Sequence, residues 1–210
     1  MVIAIDIDDT VYRLSKKLDR LTRKYLSSSP VVMNKDKYWL EERYPELQFD
    51  FSFTYYLWNS YESLYNKRMI ASAKREIKKI MEKHDVVFLT NRSTKWIDDP
   101  DTRTRIWLAE NLNIPLSAVN LITNVRSKSN LAKVLNIDIL IDNSPDEIKA
   151  AKGKIPYLFH YVDRHCIQPR PNPIITNVFT VRKWKGISDY VNAIDVLNNT
   201  RHSLDNVFAG

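Results

Sequence analysis

The chain has 210 residues, 44% of them apolar and 27% charged, which suits one good-sized domain or a core domain carrying a small insert. No apolar run approaches the ~20 residues of a membrane-spanning helix, and the first residues read as a buried strand rather than a secretory leader. Lys and Arg (32) outnumber Asp and Glu (25), for a net charge of +7; this favours an anionic partner but leaves nucleotide, nucleic acid and other phosphate esters open. The lone cysteine, Cys166, excludes an internal disulfide and leads us to expect a reducing, cytoplasmic setting.

In chain order, Val2–Ile7 is apolar and β-branched and ends in acids, the pattern of a strand buried on both faces. Similar runs recur at Val86–Thr90, Val119–Ile122, Ile137–Ile141 and Tyr157–Val162, with a weaker one at Val178–Val181. Between them lie helical patterns. Over Asn66–His84 the residues Met69, Ile70, Ala73, Ile77, Ile80 and Met81 recur at three- and four-residue spacing, as one buried helical face requires. Asp101–Leu112 and Ser129–Leu135 read as further helices. Ser144-Pro145-Asp146-Glu147 combines an N-cap, a proline at the first helical position and the fourth residue of a capping box.

Strands alternating with helices predict an α/β fold: a Rossmann-like, mostly parallel sheet with helices on both faces. The rhythm breaks from about Val11 to Ile70. There a basic helical pattern, YRLSKKLDRLTRKYL, leads to the aromatic run FDFSFTYYLWNSYESLY. This predicts a small helical cap over residues 13–70, inserted after the first strand of a core formed by 1–12 and 71–200, with a polar tail at 201–210. The aromatic run serves as the core of that cap, as a surface for stacking a base, or as both. The basic face of Arg13, Lys16, Lys17, Arg20, Arg23 and Lys24 reads as a solvated helix face or a binding strip. With only three glycines, the chain has no glycine-rich phosphate loop or dinucleotide fingerprint.

Asp6, Asp8 and Asp9 crowd the end of the first strand, and like charges so close repel unless a cation or a shared proton relieves them. In an open parallel sheet, ligands bind beyond the carboxyl ends of the strands. The ends available here are Asp6-Ile7-Asp8-Asp9-Thr10, Thr90-Asn91-Arg92-Ser93 and Asp142-Asn143-Ser144-Pro145-Asp146, with Lys128 ahead of the last. His160, His165 and Cys166 lack a fourth ligand at suitable spacing for a structural metal site.

Taken in order, Asp6-x-Asp8-x-Thr10, Thr90, Lys128 and Asp142/Asp146 resemble the four motifs of the haloacid dehalogenase-like phosphohydrolase superfamily. The resemblance implies an Asp6 nucleophile forming an aspartyl-phosphate and Asp8 as acid and base toward the leaving oxygen and water. It implies Thr90 hydrogen-bonded to the transferring phosphoryl and Lys128 neutralising charge. It also implies Mg²⁺ held by Asp6, Asp8 through its backbone carbonyl, and Asp142, with Asp146 completing the acidic pair. Thr10, Asn91 and Arg92 are the expected substrate contacts. Lys133 competes with Lys128 for the lysine role. Two positions depart from the pattern: Asp9 stands where glycine is frequent, and Asn143 follows Asp142 where a second acid is usual.

Within the superfamily the insert, the strand-two ending and the loose Arg182-Lys183-Trp184-x-x-Ile187 pattern resemble the 5′(3′)-deoxyribonucleotidases. That branch implies a nucleotidase acting on (deoxy)nucleoside monophosphates. Thr90-Asn91-Arg92 with Asp99-Pro100, Thr104 and Trp107 is similar instead to the phosphatase domain of polynucleotide kinase, which implies nucleic-acid ends. A catalytically silent binding module is the third alternative; the presence of Asp6, Asp8, Lys128 and Asp142 argues against it.

Overall fold

The computed structural model describes residues 1–26, 44, 45, 53, 68–94, 98–163 and 177–208. Six strands, β1 (Val2–Ile5), β2 (Asp85–Leu89), β3 (Leu121–Ile122), β4 (Ile139–Asp142), β5 (Tyr157–Tyr161) and β6 (Val178–Val181), form one sheet in the order β3-β2-β1-β4-β5-β6. Every pairing is parallel. Among the described residues five α-helices accompany it: α1 (Leu14–Tyr25), α2 (Ala71–Met81), α3 (Pro100–Leu112), α4 (Pro145–Ala151) and α5 (Trp184–Phe208). This is the Rossmann-like α/β architecture expected from the alternation of apolar runs and helical patterns.

The strand sequences explain the layering. Side chains alternate across a strand, and Ile3, Ile5, Ile139, Ile141 and Phe159 point into one core with α2, α3 and α5. Ala4, Leu140 and Leu158 point into the other, with Ile148 and Ala151 of α4. Both faces are therefore covered, which is why the strands read as unbroken apolar runs. Each fully buried isoleucine contributes roughly 1.5–3 kcal/mol. In α2, Ala73, Ile77 and Ile80 form the buried stripe that the spacing predicts.

Three expectations change. Ser129–Leu135 is not an α-helix: a 3-10 turn at Lys128–Asn130 passes into further turns that end at Asn136, whose φ is +49°. Ser129 and Asn130 compete for backbone partners through their side chains, and Asn is among the residues that best tolerate the left-handed region. The third strand shrinks from Val119–Ile122 to two residues, because Leu116–Ala118 forms a 3-10 turn immediately before it. The final helix α5 extends through Phe208, into the segment read as a polar tail.

Within residues 13–70, where a cap is expected, α1 is the basic helix the sequence predicts, and the ring of Tyr25 lies 5.1 Å from that of Phe53; most of the remainder of that segment lies outside the described residues. Apart from Phe53 the aromatic run Phe49–Tyr65 lies outside the described residues, as do His165 and Cys166. No helix among the described residues is long and apolar enough to cross a membrane.

Candidate active site

β1 is flanked by β2 and β4, so the loop that follows it leaves the middle of the sheet at its carboxyl edge. Ile5 pairs with Ile141, and the Asp6 N–H continues the ladder by donating to the Ile141 carbonyl at 2.9 Å. That register sets Asp6 beside Asp142, the last residue of β4. Lys128 reaches the same point from the 3-10 turn. Its Nζ donates to Asp6 Oδ1 at 2.7 Å and to Asp142 Oδ2 at 2.6 Å. The Thr10 hydroxyl lies 3.0 Å from Asp6 Oδ2 and 3.3 Å from Asn143 Oδ1. Asp142 Oδ1 accepts the Ser144 backbone N–H at 2.8 Å. All of these side chains are buried, Asp142 and Thr10 completely.

One ammonium therefore serves two buried carboxylates. Burial raises the Asp6 pKa; Lys128 pulls it down, and the carboxylates of Asp142 and Asp8 push it up again, so that it stands at about 7 against an ordinary 3.8. Burial alone would lower the Lys128 pKa, but Asp142 and Asp6 outweigh it and hold the ammonium above its usual range. The triad is thus short of positive charge. Hard oxygen donors with excess negative charge are the chemistry that Mg²⁺ selects, and Mg²⁺ needs only one or two carboxylates because it keeps several waters. Asp6 and Asp142 meet that requirement. Among the described residues no three His, Cys, Asp or Glu side chains converge as a ready-made cluster, so further oxygens would come from backbone and water.

Asp8 pairs with Arg92. Arg92 grips it with two hydrogen bonds, Nε to Oδ2 at 3.0 Å and Nη2 to Oδ1 at 2.7 Å. The guanidinium is itself held by Thr104 Oγ1 at 3.4 Å from Nη1 and by the rings of Trp107 and Tyr12, at 5.7 and 6.0 Å. A planar fork against a carboxylate fixes orientation as well as charge. Arg92, expected as a substrate contact, is engaged with Asp8 in this structure.

The other expected residues divide. Thr90 follows β2 directly, is buried, and its Oγ1 accepts the Arg92 backbone N–H at 3.3 Å. Asn91 is exposed beside it. Lys133 is exposed while Lys128 is buried in the triad, which settles the placement between the two lysines. Asp146 is exposed in the first turn of α4, whereas the Asn143 amide oxygen meets the Thr10 hydroxyl that also meets Asp6. Asp9 lies at φ +61°, and its carboxylate accepts the Ser15 N–H at 2.9 Å and bonds the Ser15 hydroxyl. It therefore ties the loop to the first turn of α1.

Three solved structures share this arrangement of elements. A haloacid dehalogenase-like family hydrolase from Xanthomonas campestris is 12% identical, with 96% of this chain and 94% of that one covered at a TM-score of 0.59. A conserved haloacid dehalogenase-like protein of unknown function from Agrobacterium tumefaciens is 10% identical, covering 92% and 98% at 0.60. A haloacid dehalogenase-like family hydrolase from Streptococcus pneumoniae is 14% identical, covering 77% and 84% at 0.54. The fold is that of the haloacid dehalogenase-like hydrolases. No protein-family model and no curated protein matches the sequence.

In the haloacid dehalogenase-like frame, several supporting residues escape sequence reasoning. Glu147 was expected to close a capping box; the Ser144 hydroxyl does accept the Glu147 N–H at 3.3 Å, but the Glu147 carboxylate accepts the Lys128 backbone N–H at 2.9 Å. It fixes the turn that delivers the lysine. Trp184 is fully buried and its indole N–H donates to the Thr10 carbonyl at 3.2 Å. His160, on β5, has Nε2 3.0 Å from the Asn143 carbonyl, and burial lowers its pKa, so the neutral ring donates there. Trp184 was visible only through the loose Arg-x-Trp-x-x-Ile resemblance, and His160 through no signal of its own.

Proposed function

We propose that the chain is a phosphomonoesterase in which Asp6 is the nucleophile. The observation that carries this reading is the Lys128 ammonium bridging Asp6 and Asp142, with the Thr10 hydroxyl on the second Asp6 oxygen. An Asp6 carboxylate oxygen attacks phosphorus and the ester bond to the leaving alcohol breaks, giving an aspartyl-phosphate. Asp8, oriented by Arg92, takes up a proton from solvent at one carboxylate oxygen before attack and passes it to the leaving oxygen. It then takes one from the water that cleaves the phosphoryl–aspartate bond, releasing phosphate and restoring Asp6. Lys128 and the Thr90 hydroxyl stabilise charge on the phosphoryl oxygens, since this chemistry is mostly positioning and electrostatics.

Mg²⁺, held by the Asp6 and Asp142 carboxylates and the Asp8 backbone carbonyl, would neutralise charge on the phosphoryl group when bound. The substrates we propose are nucleotides, (deoxy)nucleoside monophosphates first among them. The loose resemblance of the Arg182-Lys183-Trp184-x-x-Ile187 segment to the nucleotidases supports this reading. The setting we propose is cytoplasmic.

Phosphate release is measured with Mg²⁺ over a panel of 5′- and 3′-(deoxy)nucleoside monophosphates, 3′-phosphorylated oligonucleotides and p-nitrophenyl phosphate. Asp6→Asn should lower kcat by at least about 10³-fold, as expected for loss of a nucleophile. Undiminished turnover by that variant would refute the mechanism.

A further inference from the structure

A groove of about 420 Å³ begins where the catalytic loop ends. Arg13, Lys16, Lys17 and Arg20 line one side and Arg68 also lines it, with Tyr12 among the residues between them. The four α1-side cations fall at offsets of three, four and seven residues from Arg13, which is one face of a helix. From Arg13 to Arg20 that face runs for about 10 Å. Among the described residues the lining contains no acid. Arg13 Nε is fixed by Asp163 at 2.8 Å, whereas Lys16, Arg20 and Arg68 make no ion pair among the described residues and are exposed.

An ordinary solvated helix mixes charges of both signs on its outer face. Here one sign is gathered around a concavity, which concentrates the field more than the same charges on a convex surface. The groove is also continuous with the catalytic apparatus. Tyr12 lines it, packs edge-on against Trp107 with centroids 5.8 Å apart, and lies 6.0 Å from the Arg92 guanidinium that grips Asp8.

We infer that this groove binds the sugar–phosphate backbone of a short nucleic-acid strand whose terminal phosphate is presented to Asp6. The inference rests on the phosphomonoesterase reading for the fate of that phosphate, but not for the binding itself. A single extra phosphate does not call for exposed cations such as Lys16, Arg20 and Arg68 distributed along a groove. Successive backbone phosphates do, and a basic groove that tracks them is how single strands are held without sequence preference.

Binding is measured on Asp6→Asn, which spares the strand, using a fluorescent single-stranded oligonucleotide bearing a terminal phosphate, at several salt concentrations. A nucleoside 3′,5′-bisphosphate serves as competitor. Lys16→Glu combined with Arg20→Glu should weaken binding and flatten the slope of log K against log salt by about 1.4, or about 0.7 for each lost contact. In the otherwise native enzyme the same pair should lower kcat/KM for phosphorylated strands while leaving p-nitrophenyl phosphate turnover unchanged, which also reports correct folding. No binding, binding indifferent to the double variant, or a bisphosphate competing as strongly as an unlabelled strand would each overturn the inference. Charge-sensitive strand binding by a protein that hydrolyses neither strand nor p-nitrophenyl phosphate would sink the phosphomonoesterase reading and leave the groove standing.

Discussion

At Asp6 the chemistry of the site and the stability of the protein are joined. Its pKa rises from an ordinary 3.8 to about 7 on folding, through burial and the carboxylates of Asp142 and Asp8 against the pull of Lys128. Between those values the native state binds more protons than the unfolded chain, so stability falls as pH rises from about 4 to 7 and this contribution levels off above. Chemical denaturation of metal-free protein across that range should show the decline in the wild type. Asp6→Asn, which has nothing to ionise, should lack this component, and parallel profiles for the two proteins would contradict the assignment. The Asp-x-Asp-x-Thr spacing made Asp6, Asp8 and Thr10 legible from sequence, because adjacent residues at a strand end stay adjacent in space. The grip of Arg92 on Asp8 joins positions 84 apart, and no local pattern encodes it.

At the scale of elements, the parallel strands were readable because burial on both faces leaves no polar alternation, only apolar runs. The turn carrying Lys128 was misread because the apolar spacing of Leu131 and Leu135 imitates a helix while Ser129 and Asn130 steer the backbone into a 3-10 turn. The contribution of α5 was hidden for a different reason. Trp184 meets the Thr10 carbonyl across 174 residues, so the support of the catalytic loop by the last helix is a tertiary fact. Trp184→Phe keeps most of the buried ring and deletes that one hydrogen bond. We expect a loss of about 1–2 kcal/mol, the usual range when a buried carbonyl loses its donor, read by urea denaturation. Trp184→Ala, which also opens a cavity, should lose about 3–5 kcal/mol. Equal stability for all three proteins would show that the loop does not rely on α5.

For the whole molecule, a divalent cation that binds the folded site and not the unfolded chain must raise stability by mass action. At a hundred times its dissociation constant the gain is about 2.7 kcal/mol. For a chain of this size, that corresponds to a rise in Tm of about 5–10 °C. Calorimetry with and without Mg²⁺ should show this shift, and Asp142→Asn should abolish most of it. An Mg²⁺ response unaffected by Asp142→Asn would place the cation elsewhere. The segment from 13 to 70 is the least legible from sequence, since helical and aromatic composition does not say which ring faces a cleft.

The sheet order has a consequence for biosynthesis. β1, which leads into the proposed nucleophile, is translated before both of its neighbours, which begin at Asp85 and Ile139. At 5–20 residues per second, the ribosome needs roughly 7–27 s between completing β1 and completing β4. For that interval a sticky apolar strand travels with one or both of its edges unclaimed. The nascent chain is therefore a natural client for whatever shields hydrophobic segments at the tunnel exit, and the acidic triad that ends β1 doubles as a gatekeeper against premature association.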